Sequence, residues 1–173
     1  GGNPLWYAMR GVAYMRLNDE AQSSRDAKTA ERIGPEGWSI PLIIQATVSD
    51  GYGSQTPLLD KALEAKDDWF VYYLRATFNY ATNHLDEAWD DVLSSIDNDP
   101  QANYPYVTGF LIAIRQGRVQ DAGDMMSQMV ENEPDPTLGN RVYRATFGDN
   151  NIDVLMSGKL YEGFGNIVIG QYE

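Results

Sequence analysis

The chain has 173 residues, 43% of them apolar, and carries 25 acidic against 13 basic side chains for a formal net charge of -12. That length suits one domain or one short array with a continuous core, and the charge repels phosphate backbones and anionic lipid over about 8 Å at physiological salt, so no nucleic-acid partner is expected. Having no cysteine excludes disulfides, thiol catalysis and thiolate metal sites while leaving cytoplasm and bacterial envelope both open, and without an apolar run near the roughly 18–20 residues of a membrane span no membrane insertion is expected.

Gly1-Gly2, ahead of Asn3-Pro4, reads as an appended remnant of expression. Residues 3–36 form a first unit: an aromatic and small-residue helix from Trp6 through Gly11 to Tyr14, a turn at Asn18, and a second helix through Ser23, Ala27 and Ala30 that Pro35 closes. Spacings of three and four among those small residues put one face of the second helix against its neighbour. Residues 37–68 form a second, degraded unit, with Asp67 standing where the proline stood. Its inter-helix turn is expected to lengthen over Asp50-Gly51-Tyr52-Gly53-Ser54-Gln55, after which Thr56 is an N-cap and Pro57 a first-turn proline.

Residues 69–101 repeat the first pattern, with Tyr72 to Phe78, a turn at Asn83, and Asp86-Glu87-Ala88-Trp89 leading to Val92, Ser95 and Pro100. Residues 102–135 give Tyr106 to Ile114, a turn at Gly117, and Ala122, Met126 and Met129 leading to Pro134. Here Phe110 fills the slot held by Gly11 and Ala76, which leaves the tightness of that hairpin open. Residues 136–173 break the register. Arg141 to Phe147 echoes Leu74 to Phe78, while Phe164 to Glu173 has the pattern of a first helix and turn without a second helix, so a longer parent protein is expected.

Asn18, Asn83 and Gly117 each lie 17 residues before Pro35, Pro100 and Pro134, and Tyr7, Tyr72 and Tyr106 lie 28 before them; Pro100 and Pro134 are 34 apart. Such a period belongs to arrays of helix hairpins. The pattern of an aromatic residue, a small residue four later, an alanine opening the second helix and a closing proline resembles the tetratricopeptide repeat family over residues 3–135, most strongly in the third and fourth units. That resemblance implies an all-α fold, a right-handed superhelical solenoid of antiparallel helix hairpins. In such a solenoid stacking supplies the core and the first helices line a curved groove.

No catalytic, cofactor or metal constellation stands out. His84 is the only histidine and falls in a turn, where exposure is expected. The acidic clusters Asp67-Asp68, Asp90-Asp91, Asp97-Asp99 and Glu131 to Asp135 lack calcium-loop spacing and read as solvated helix faces and ends. The Gly163-Phe164-Gly165 run has the wrong spacing for a phosphate loop.

The resemblance places Leu5, Ala8, Val12, Met15, Arg16, Ile40, Ile44, Thr47, Phe70, Tyr73, Thr77, Tyr80, Tyr104, Val107, Leu111, Ile114 and Arg115 on the inner face. Some of the aliphatic ones alternatively belong to the core between hairpins. Family members that hold acidic chaperone tails use lysine, asparagine and arginine on this face. The corresponding positions are Ala8, Tyr73 and Val107, so that clamp is absent. The partner-binding candidates are Arg16, Phe70, Tyr73, Tyr80, Tyr104, Leu111 and Arg115, because tyrosine and arginine bury area while keeping a polar handle.

The expected function is a non-enzymatic scaffold, without cofactor, that binds an apolar protein or peptide segment. The segments Ile152 to Met156 and Ile167 to Ile169 are apolar enough to fill the groove from within or from a second copy, and Met125, Met126 and Met129 together with the aromatic groove point to self-association. A second reading stands beside the scaffold, a regulatory or sensor repeat segment of a larger enzyme or envelope protein.

Overall fold

A computed structural model describes residues 2–49 and 51–132, and these hold eight helices and no strand. They are α1 (Pro4–Arg16), α2 (Glu20–Ile33), α3 (Ile40–Thr47), α4 (Tyr52–Ala65), α5 (Trp69–Ala81), α6 (Leu85–Asn98), α7 (Asn103–Arg115) and α8 (Val119–Asn132). Consecutive helices pair as hairpins, α1 with α2, α3 with α4, α5 with α6 and α7 with α8. The first three hairpins lie in one compact unit that runs to Asp99, and the fourth lies in a second unit that begins at Pro100.

Local sequence chemistry sets the helix ends. The Asn3 side chain accepts from the Leu5 amide at 2.9 Å ahead of Pro4, whose missing N–H costs nothing in a first turn. Asp19 caps α2 through the Gln22 amide at 3.1 Å, and Asp68 caps α5 through the Phe70 amide at 3.0 Å. The three expected turn residues all adopt the left-handed conformation, with φ of 56° at Asn18, 65° at Asn83 and 72° at Gly117. Asparagine and glycine occupy that region at least cost. Each closes its helix with the same two bonds. The turn residue's own amide donates to Met15, Tyr80 or Ile114, and the next amide, of Asp19, His84 or Arg118, donates to Tyr14, Asn79 or Ala113.

The α3–α4 hairpin departs from expectation. Its second helix begins at Tyr52 rather than after Thr56, and Pro57 lies inside it. Gly51, at φ 82°, turns the chain, and its carbonyl accepts from both the Ser54 and Gln55 amides, which starts the helix a turn early. Thr56 is therefore an interior residue, and its buried hydroxyl has no hydrogen-bond partner.

Two apolar clusters hold the first unit. Ala8, Ala27, Ala30 and Ile44 pack with Tyr7, Val12 and Trp38 where α1, α2 and α3 meet. Leu42, Ala46, Leu59, Ala62 and Val71 pack with Ile43, Leu58, Leu63, Leu74 and Phe78 across α3, α4 and α5. Small residues bring the hairpin helices close. The Ser23 hydroxyl donates to the Gly11 carbonyl at 2.8 Å, and a Cβ at Gly11 would stand 3.4 Å from the Ser23 carbonyl, room that Ala76 uses one pattern later. In the second unit Phe110 is fully buried with Ile112, Met126 and Met129, so the large residue fills its slot rather than loosening it. Tyr106 Oη and Asn132 Nδ2 both donate to the Pro100 carbonyl, at 3.0 and 2.5 Å, joining the two ends of that hairpin.

Burial decides one open alternative and corrects two expectations. Ala8 and Ile44 are core residues, because α1 and α3 pack directly on each other there. Met125, Met126 and Met129 are also buried, so they offer no surface for self-association. Asp91 is only 4% exposed and does not belong to a solvated acidic face. The expected fifth hairpin, Pro134 and the groove-filling segments of residues 136–173 lie outside the described residues.

Candidate functional site

Helix α5 presents Phe70, Tyr73, Thr77 and Tyr80 within one side of the cylinder, by spacings of three and four. An adjacent side, Val71, Leu74 and Phe78, enters the core. Phe70 stays 41% exposed, while Tyr73 and Tyr80 are half-buried. The Phe70 and Tyr73 rings lie 6.1 Å apart, and Trp69 meets them edge-on at 5.6 Å from Phe70 and tilted at 6.5 Å from Tyr73. The three rings support one another, so this patch loses little side-chain freedom on contact with a ligand. Arg16, in the last turn of α1, is exposed.

In the second unit, Tyr104, Leu111 and Arg115 fall on one side of α7 by spacings of seven and four. Tyr104 is 67% exposed, Arg115 is exposed and Leu111 is half-buried. Each unit thus carries candidate residues along one side of a helix, mostly aromatic on α5 and with Tyr104 as the one exposed ring on α7. His84 is half-buried rather than exposed, its Nδ1 3.0 Å from the Thr82 hydroxyl at the head of α6.

Two further constellations went unread in the sequence. Arg10 grips Asp26 with Nε at 2.6 Å and Nη2 at 2.8 Å, and its guanidinium lies 5.4 Å from the Tyr7 ring centre. Sixty-five residues on, the set recurs. Arg75 grips Asp91 with Nε at 3.0 and 3.1 Å and Nη2 at 2.6 Å, and lies 5.6 Å from the Tyr72 ring centre. The signal was an arginine followed by aspartate after 16 residues, present twice at the same place in the register. Nothing marked it as a contact, since the hairpin had first to bring the two helices together.

The second set is the more elaborate. Arg75 Nη1 also donates to Asp60 of α4 at 2.6 Å, and Asn79 Nδ2 donates to Asp91 at 2.8 Å. Burial pushes the Asp91 carboxyl upward from its ordinary value, against the pull of Arg75 and Asn79, and Asp60 adds to the push. Bonding to Asp91 holds the Arg75 guanidinium above its own ordinary value. Beside this network an open cleft of about 240 Å³ is lined by Thr56, Asp60, Arg75, Asn79, Glu87, Asp90 and Asp91. Among the described residues no group of three or more His, Cys, Asp or Glu side chains is arranged to hold a metal ion. None of their helices is long and apolar enough to cross a membrane.

No family model matches the chain, and no curated protein matches it. Among solved structures it is similar to YrrB, described as a TPR protein with an unusual peptide-binding site, at 11% identity and a TM-score of 0.66. The match covers 98% of this chain and 91% of that one. At that identity the likeness carries the fold, an all-helical repeat of hairpins.

Proposed function

We propose that this chain is a divergent tetratricopeptide repeat array acting as a non-enzymatic scaffold, and that it captures an apolar protein or peptide segment on its aromatic helix faces. The observation that carries the reading is the ring cluster of α5, where Phe70 remains 41% exposed beside Tyr73, with Tyr80 further along the same side. Apolar rings left at the surface of a folded helix, each with a polar or charged neighbour, are the composition of interface anchors. Tyr104, Leu111 and Arg115 give α7 a smaller version, one ring with an aliphatic and a charged neighbour. The peptide-binding description of the structural neighbour supports the same class of ligand.

The test is a display library of apolar 15-residue peptides selected on the purified chain, with binding of the selected peptides followed by fluorescence anisotropy. Tyr73→Ala with Tyr80→Ala should weaken binding by roughly 30-fold, the loss of about 2 kcal/mol that an aromatic anchor carries. Tyr104→Ala with Arg115→Ala tests the α7 face in the same way. Unchanged affinity in both variants, with helical content retained, would remove these faces from the site.

A further inference from the structure

The cleft beside Arg75 holds a chemical contradiction. Asn79 is only 2% exposed, its Nδ2 is committed to Asp91, and its Oδ1 is buried with no hydrogen-bond partner. The Thr56 hydroxyl, on the facing helix α4, is likewise buried without a partner. Both residues line the one cleft. A buried polar atom without a bond costs on the order of 1–3 kcal/mol, so the Asn79 oxygen, with the Thr56 hydroxyl able to accept in the same cleft, calls for a donor.

Charge narrows the donor. Asp60, Glu87, Asp90 and Asp91 bring four negative charges to the cleft and Arg75 brings one positive, leaving three negative charges in excess. An anion is repelled. Arg75 does not supply the missing donor, because its guanidinium is turned to Asp91 and Asp60 and none of its N–H groups bonds Asn79 Oδ1 or the Thr56 hydroxyl. What fits is a compact cation with several N–H donors. A primary ammonium has three, and can serve Asn79 Oδ1, Thr56 Oγ1 and one carboxylate at the mouth. A second guanidinium is a poorer fit, since its planar fork needs paired acceptors in one plane, and Asp91 already spends that geometry on Arg75.

We propose that the cleft between α4, α5 and α6 is a binding site for a primary ammonium group, the lysine side chain of a protein partner. The site is independent of the aromatic face of α5. Glu87 and Asp90, both exposed, draw the cation to the mouth, and Asn79 and Thr56 receive it. A partner held on α5 by apolar contact is thereby also read for a lysine on the neighbouring α4–α6 side.

The experiment is a two-dimensional amide NMR titration of the full chain with N-acetyl-lysine methylamide. Tetramethylammonium chloride, which has the charge but no donor, and sodium chloride at matched ionic strength are the comparisons. Saturable shifts should centre on the Asn79 side-chain amide and the Thr56 backbone amide with the lysine derivative alone. Glu87→Gln with Asp90→Asn, two surface changes that leave the fold intact, should weaken the response about tenfold, the size of one charged hydrogen bond. Tyr73→Ala with Tyr80→Ala should not change it. Equal shifts from tetramethylammonium overturn the proposal in favour of simple screening. Shifts that never saturate overturn it in favour of a cleft filled by water only.

Discussion

Replacing Arg75 by methionine tests whether the ion pair inside the third hairpin is a structural necessity or one of two ways to fill the same space. Asp91 has a side chain 5% exposed and Arg75 one 23% exposed. Arg75→Met leaves the Asp91 carboxylate with only the Asn79 amide among its present partners, and breaking a buried pair on one side costs about 3–5 kcal/mol. The partial exposure of Arg75 places the expected loss at the lower end, about 3 kcal/mol, or roughly 6–12 °C in a chain of this size. Arg75→Met with Asp91→Leu removes both charges but leaves the buried Asn79 amide without its acceptor, so it should regain only part of the loss and stand about 1–2 kcal/mol below the parent. The fourth hairpin already shows the apolar solution. Counting 34 residues on from Arg75 and Asp91 reaches Gly109 and Met125, both buried. Urea unfolding followed by circular dichroism at 222 nm reads the whole chain, and hydrogen exchange on α5 and α6 reads the hairpin itself. A single variant as stable as the parent, or a double variant weaker than the single, refutes the reasoning. Arg10→Met should have the smaller effect of the two arginine substitutions, since its side chain is 57% exposed.

Three further outcomes are expected. Asn83→Ala should cost about 1 kcal/mol and Asn83→Gly close to nothing, because the position holds φ 65°; equal midpoints in thermal unfolding would contradict this. Asp68→Ala should cost about 1 kcal/mol at neutral pH through the lost cap. The Lys66 bond holds the Asp68 carboxyl below its ordinary value, so its contribution is fully present above an unfolded value of about 3.9 and fades as pH falls through the lower folded one; stability curves of parent and variant should converge at the acid end. Pro57→Ala should raise stability by about 1–2 kcal/mol, since it restores an amide inside α4 against a small loss of chain stiffness, and a lower melting temperature would show that the proline is accommodated without strain.

Most of the hairpin pattern was legible because its punctuation is local. Asn18, Asn83 and Gly117 announce left-handed turns by residue type alone, and prolines 35 and 100 fall just beyond the ends of α2 and α6. The α4 start was misread for the same reason. Thr56-Pro57 has the composition of a helix opening, but Gly51 upstream supplies a sharper turn. Side-chain destinations were harder to read. Ala8 and Tyr73 occupy the same place in their repeats, yet one is buried between α1 and α3 and the other is half-buried on an aromatic face, a difference set by which helix comes to lie alongside. Asp91 sits beside Asp90 in an acidic run, and only the fold separates the buried carboxylate from the solvated one. The unpartnered atoms of Asn79 and Thr56 were beyond any sequence pattern, since two helices have to meet before their hydroxyl and amide are closed off from water.

The ion pairs inside the hairpins have a bearing on how the chain is made. Arg10 waits for Asp26 and Arg75 for Asp91, 16 residues each, and even the bond from Asn132 to Pro100 reaches back only 32. At a synthesis rate of about 5–20 residues per second, a growing chain completes such a span within a few seconds. These three hairpins can therefore fasten themselves while the following chain is still being translated, and the acidic surface of the emerging part keeps neighbouring nascent chains apart.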